Sequence, residues 1–258
     1  MLRSLKEISG YRILAKDGDI GHVHDFFFDD EIWAIRYIVV DTGSWLTGKK
    51  KVLLVPSAVE KPEWETQTLP VRLDKEQVKD SPEIDTDKPV SRQAEIELHE
   101  HYNWVPYWVV PPHGIAPPLA PTEMKEEEKK EQEKEKEEGK KILMGERVDP
   151  HLRSVKEVTG YHIQALDGEM GHVEEFIAEE PSWFIRYLVV DTRNWLPGRK
   201  VLIPPDWIEQ LSWKDTKVSV DLPMELIKNS PEYDPSAPVN RQYEERLYDY
   251  YGRPKYWE

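Results

Sequence analysis

The chain has 258 residues, a formal net charge of -15 with pI near 5.1, no Cys, and ten Trp within an aromatic content of 10%. The acidity argues against a phosphate-backbone partner, which needs clustered Lys and Arg, and against docking on anionic lipid headgroups. The lack of Cys excludes disulfides, thiolate metal sites and Cys nucleophiles.

In chain order, the first event is a segment that returns later. LRSLKEISGYRILAKDGDIGHV from Leu2 reappears as LRSVKEVTGYHIQALDGEMGHV from Leu152, and RYIVVDTGSWLTG from Arg36 as RYLVVDTRNWLPG from Arg186. The correspondence continues through Leu53/Leu202, Trp64/Trp213, Ser81-Pro82/Ser230-Pro231, Arg92/Arg241, Leu98/Leu247 and Trp108/Trp257. Repetition on this scale denotes one foldable module used twice. The modules are residues 1–110 and 149–258, joined by 111–148.

Within the first copy, β-type runs are expected at Tyr11–Ala15, Ile20–Asp29, Trp33–Asp41, Lys51–Val55, Glu63–Thr66 and Thr68–Leu73. Asp17-Gly18 and its copy Asp167-Gly168 mark hairpin turns, because Gly takes positive φ at little cost. Short strands with tight turns, and no room for helical crossovers, predict an all-β-dominated chain of two small antiparallel barrels. Each barrel carries a helical tail. Asp74–Lys79 and Pro223–Lys228 read as short helices stopped by Ser-Pro, and Ser91 and Asn240 cap second helices ending near Tyr102 and Tyr251. Ala94, Leu98 and Tyr102 share a face, as do Tyr243, Leu247 and Tyr251. That stripe covers either the barrel flank or a partner.

The connecting segment has two textures. Pro111–Pro121 is Pro-rich and stiff, whereas Thr122–Lys141 is nearly all Glu and Lys and forms either a solvated helix or a disordered tether. It either holds the modules apart or lets them pair as an intramolecular pseudo-dimer; a homodimer is the other arrangement. No run reaches the roughly 18 apolar residues of a spanning helix, and no apolar signal region opens the chain, which points to the cytoplasm.

The motifs G-Y-x-I…D-G-x-x-G-H-V, R-Y-x-V-V-D-T and W-L-x-G-(K/R)-K before V-L resemble the PRC-barrel family, first associated with the photosynthetic reaction-centre H subunit. A related barrel occurs in ribosome-maturation proteins of the RimM type. The tail, with S-P-E-(I/Y)-D, P-V-(S/N)-R-Q-x-E and a closing Y-W, resembles an extension in a bacterial subgroup. The resemblance implies a non-enzymatic adaptor or assembly module. It also raises two alternatives: an accessory protein of a photosynthetic or electron-transport membrane complex, or a ribosome and RNA-processing factor acting through a protein contact.

The chemistry-bearing residues give no catalytic constellation. His22 and His24 share a strand face, yet copy two replaces His24 by Glu174, and two donors make a poor metal site without a third. Asp17, Asp41, Asp167 and Asp191 sit where Asx-type turns are ordinary, and Arg36 and Glu7 have charges able to pair. No catalytic residue, cofactor or metal is expected. The candidates are for protein interaction. Trp45-Leu46 and Trp195-Leu196, in loops, either plug a barrel mouth or form a paired hot spot. Trp104, Tyr107 and Trp108, with Tyr256 and Trp257 in the copy, dock on a groove of their own barrel or a neighbour's.

Overall fold

The structure, a computed structural model, describes residues 1–43, 51–82, 90–109, 151–192 and 199–258. Trp45, Leu46, Trp195, Leu196 and the connecting segment 111–148 lie outside the described residues.

Strands dominate. The first series is β1 (Leu2–Ser4), α1 (Leu5–Ile8), β2 (Arg12–Ala15), β3 (Gly18–Asp29), β4 (Ala34–Asp41), β5 (Lys51–Leu54), β6 (Thr68–Pro70), α2 (Lys75–Lys79) and α3 (Arg92–Tyr102). The second is β7 (Leu152–Ser154), α4 (Val155–Val158), β8 (His162–Ala165), β9 (Gly168–Glu179), β10 (Phe184–Asp191), β11 (Lys200–Ile203), β12 (Ile208–Ser212), β13 (Lys217–Val220), α5 (Met224–Lys228) and α6 (Arg241–Tyr251). Two compact units interleave these segments: one holds Met1–Gly10, Val23–Ile38 and Arg153–Glu258, the other Tyr11–His22 and Val39–Leu152.

In the first unit the pairing runs β12-β13-β8-β9-β10, with β11 added to β10 and β1 added to β9. Leu2, Arg3 and Ser4 face Glu179, Ala178 and Ile177 in an antiparallel ladder. Reciprocally, β7 pairs with β3. The opening strand of each repeat therefore lies on the long strand of the other. Phe184 faces Ala34. Two backbone bonds flank that pair, Ile35 N to Trp183 O at 2.9 Å and Ile185 N to Trp33 O at 2.7 Å. Trp33 and Trp183 adopt φ of 55° and 58° there. Phe28 stacks on Trp33 at 5.4 Å and meets Phe176 at 5.6 Å, so aromatic burial secures this junction.

In the second unit β2 forms the expected hairpin with the start of β3, Ala15 facing Gly18, and β6 lies on β2. Gly21 is required: its φ is +136°, and a Cβ would stand 2.1 Å from the carbonyl oxygen of Asp41. Gly171 repeats the close approach, 2.2 Å from Asp191 O. Asp41 Oδ1 accepts from Gly43 N at 2.8 Å, the Asx turn expected of it. Asp74 caps α2 in a full capping box, and Asp17 Oδ1 accepts from Lys75 N at 2.8 Å, tying the hairpin turn to the helix.

The strand-dominated expectation holds, and so do the four tail helices, with the expected caps at Ser91 and Asn240. The pairing is not wholly antiparallel, however. β6 runs parallel to β2 and β13 parallel to β8. Several strands separate each parallel pair in sequence, so the chain reverses often enough to return in the starting direction without a helical crossover. In neither unit do the described pairings close into a ring.

Candidate interaction site

Each of the two longer tail helices carries a carboxylate one turn in, Glu95 on α3 and Glu244 on α6, and both are buried at 0% and 3% exposure. The caps explain their direction. Ser91 accepts from Ala94 N and Asn240 from Tyr243 N, which sets the first turn and points the next residue inward. Each helix ends in a left-handed residue, Asn103 (φ 53°) or Gly252 (φ 61°), which reverses the chain and brings the aromatic tail back along the helix.

Around Glu244, the hydroxyls of Tyr187 and Tyr256 donate to Oε1 at 2.8 and 2.9 Å, and Arg241 approaches Oε2 at 3.2 Å. The Arg241 guanidinium covers the Trp257 ring at 4.0 Å, and that of Arg186 covers Tyr256 at 4.4 Å. Trp257 meets Tyr248 edge-on at 5.2 Å. Burial pushes the Tyr187 hydroxyl far up, with Tyr248 and Glu244 adding to the shift, so it donates at any ordinary pH.

The α3 clasp is built alike. Tyr107 donates to Glu95 Oε1 at 2.8 Å, Arg92 lies 3.1 Å from Oε2, and its guanidinium covers Trp108 at 4.3 Å. His99 meets Trp108 edge-on at 5.1 Å, and Trp104 stacks on Tyr102 at 4.1 Å. Burial lowers the His99 pKa to about 4, leaving a neutral ring at neutral pH. The interaction candidates Trp104, Tyr107, Trp108, Tyr256 and Trp257 are thus half-buried against the helix of their own repeat.

A second constellation lies in the first unit, where each repeat lends its opening segment. Ser4 caps α1, accepting from Glu7 N at 3.2 Å, and donates its hydroxyl to Glu175 of β9. Ser154 caps α4, accepting from Glu157 N at 3.0 Å, and donates to Asp25 of β3 at 2.5 Å. Asp25 also accepts from Phe26 N at 2.7 Å and Lys156 N at 3.1 Å. Burial raises both carboxyls above their usual range, against the lowering effect of these donors. At the rim, Glu174 lies between Lys200 at 2.7 Å and Lys6 at 3.3 Å.

His24, weighed as an imidazole donor, has Lys156 Nζ 3.2 Å from its Nδ1. Among the described residues no group of three or more His, Asp or Glu is placed to hold a metal ion. Arg36 pairs with Asp29 at 2.9 Å, and Arg186 with Glu179. The sequence marks Asp25 and Glu175 only as neighbours of the His22–His24 pair and its copy, and it marks neither Glu95 nor Glu244. Their signal is a carboxylate at the head of an apolar run, Asp25 before Phe26-Phe27-Phe28 and Glu175 before Phe176-Ile177-Ala178, or on the buried face of a capped helix.

Chemically, these groups fasten one segment of the chain to another: each carboxylate already receives hydroxyl or backbone donors. Neither a protein-family model nor a curated protein matches the chain. Among the described residues no helix is long and apolar enough to cross a membrane.

Proposed function

We propose that the chain is a non-enzymatic scaffold: two PRC-type barrels paired as an intramolecular pseudo-dimer, presenting two similar surfaces to a protein partner in the cytoplasm. The observation that carries this reading is the use of the buried ionisable groups. Glu95, Glu244, Asp25 and Glu175 each accept hydrogen bonds from Tyr, Ser or backbone donors that fasten the fold. General acid–base work would instead require a carboxyl open to substrate. Duplication then has a physical purpose, because two weak contacts on one chain gain from effective concentration.

The test is affinity capture from native lysate with the full chain and with a Trp45→Ala/Trp195→Ala variant. The loop rings act as paired hot spots in this reading, so their loss lowers capture by roughly 30-fold while far-ultraviolet circular dichroism is unchanged. Equal capture by both chains overturns it. The identity of the captured protein separates a membrane complex from a ribosomal contact.

A further inference from the structure

We infer that the opening segment, Met1–Gly10, is an exchangeable docking strand, and that the β9 edge it occupies accepts the same segment from a second copy of this chain. The inference stands on strand register and side-chain pairing alone, not on the scaffold reading, so either can fail without the other.

The seat is built for this segment. Leu2, Arg3 and Ser4 form a ladder on Glu179, Ala178 and Ile177, Leu5 and Ile8 bury their side chains, and the Ser4 hydroxyl meets the buried Glu175 carboxylate. Emptied, β9 would present an unpaired edge and a buried carboxylate without its hydroxyl donor, both costly. A segment supplied by another molecule relieves the same cost.

The donors are interchangeable by sequence. Leu2-Arg3-Ser4 and Leu152-Arg153-Ser154 are identical, and Leu5/Val155, Lys6/Lys156, Glu7/Glu157 and Ile8/Val158 preserve each residue's character. The seats match as well: Ser4 meets Glu175, and Ser154 meets Asp25. One chain thus carries two donors and two seats that fit each other, and closes on itself. Two chains carry four of each and close equally well, the usual basis of domain swapping. Nothing in the bonds distinguishes closure within a chain from closure between chains; only concentration does. Closure within one chain carries an effective concentration on the order of 1 mM, so exchange between chains becomes substantial near that chain concentration and is negligible near about 1 µM.

The absence of Cys makes a disulfide test clean. Glu180 N donates to Met1 O at 2.8 Å and the Met1 ammonium donates to Glu180 O at 2.6 Å, so the next pair, Leu2 and Glu179, is the closer, non-hydrogen-bonded kind. Its Cα separation of about 4.5 Å falls within disulfide range. The Glu179→Cys change removes the partly exposed bonds that its carboxylate accepts from Arg186 and Ser182 and leaves the backbone ladder in place.

Full-length Leu2→Cys/Glu179→Cys, refolded and oxidised at about 1 µM, should close as a crosslinked monomer. Single Leu2→Cys and Glu179→Cys chains, unfolded together and refolded at about 1 mM, should give a covalent dimer that is at least about tenfold scarcer when refolded at about 1 µM. Failure of the double variant to crosslink overturns the inference. So does a mixture that forms no dimer at the higher concentration, or one that forms no more than either single variant alone.

Discussion

A carboxylate placed one turn into a helix and turned inward is costly unless donors meet it, and Glu244 is met by two phenols and a guanidinium. Glu244→Ala leaves the Tyr187 and Tyr256 hydroxyls without this acceptor and should lower the unfolding free energy by about 2–4 kcal/mol in urea titration. Glu244→Gln retains an acceptor and should cost about half as much. Asp25 makes a different prediction, through pH. Burial holds its carboxyl above the ordinary value of 3.8, so the folded chain keeps this proton more readily than the unfolded one. A raised folded value means that the associated stability is full below about pH 4 and is lost as pH rises through the folded value. Wild type should therefore lose stability relative to Asp25→Asn between about pH 4 and 7; parallel curves in urea titrations across that range would refute the assignment.

At the scale of elements, the helices and long strands are products of local chemistry. Ser91, Asn240 and Asp74 were legible as caps or helix starts because capping is a short-range bond between a side chain and the next turn. The opening strands β1 and β7 were not legible, since three residues carry too little alternation to register as strands. Their Ser residues are nevertheless doubly committed, to a helix cap and to a buried carboxylate. Ser4→Ala and Ser154→Ala should each cost about 2–3 kcal/mol, combining a lost cap of about 1 kcal/mol with a weakened carboxylate site. In a double-mutant cycle, Ser4→Ala should couple to Glu175→Gln and not to Glu244→Gln. The glycine approaches belong to the same scale. Gly21→Ala would force a Cβ against the Asp41 carbonyl and should destabilise by about 2–4 kcal/mol, as should Gly171→Ala against Asp191, read as a lowered urea midpoint.

For the whole molecule, the first compact unit joins Met1–Gly10 and Val23–Ile38 to Arg153–Glu258. A protease site engineered within residues 122–141 of the full chain should therefore leave the two fragments co-eluting after cleavage. They should part only in about 6 M urea; fragments separating in native buffer would contradict the reciprocal strand exchange.

By itself the sequence determined the duplication, the strand-rich class, the Ser91 and Asn240 caps and the hairpin turns, because hydrophobic period, capping and positive-φ demand act over a few residues. The tertiary structure alone decided which long strand receives each opening segment, which strands run parallel, and that the four inward carboxylates meet Ser and Tyr hydroxyls. Leu-Arg-Ser occurs identically in both repeats, so either long strand satisfies its local pattern. The choice rests on what lies opposite in space: an open edge, a buried carboxylate and an apolar slot for Leu5 and Ile8.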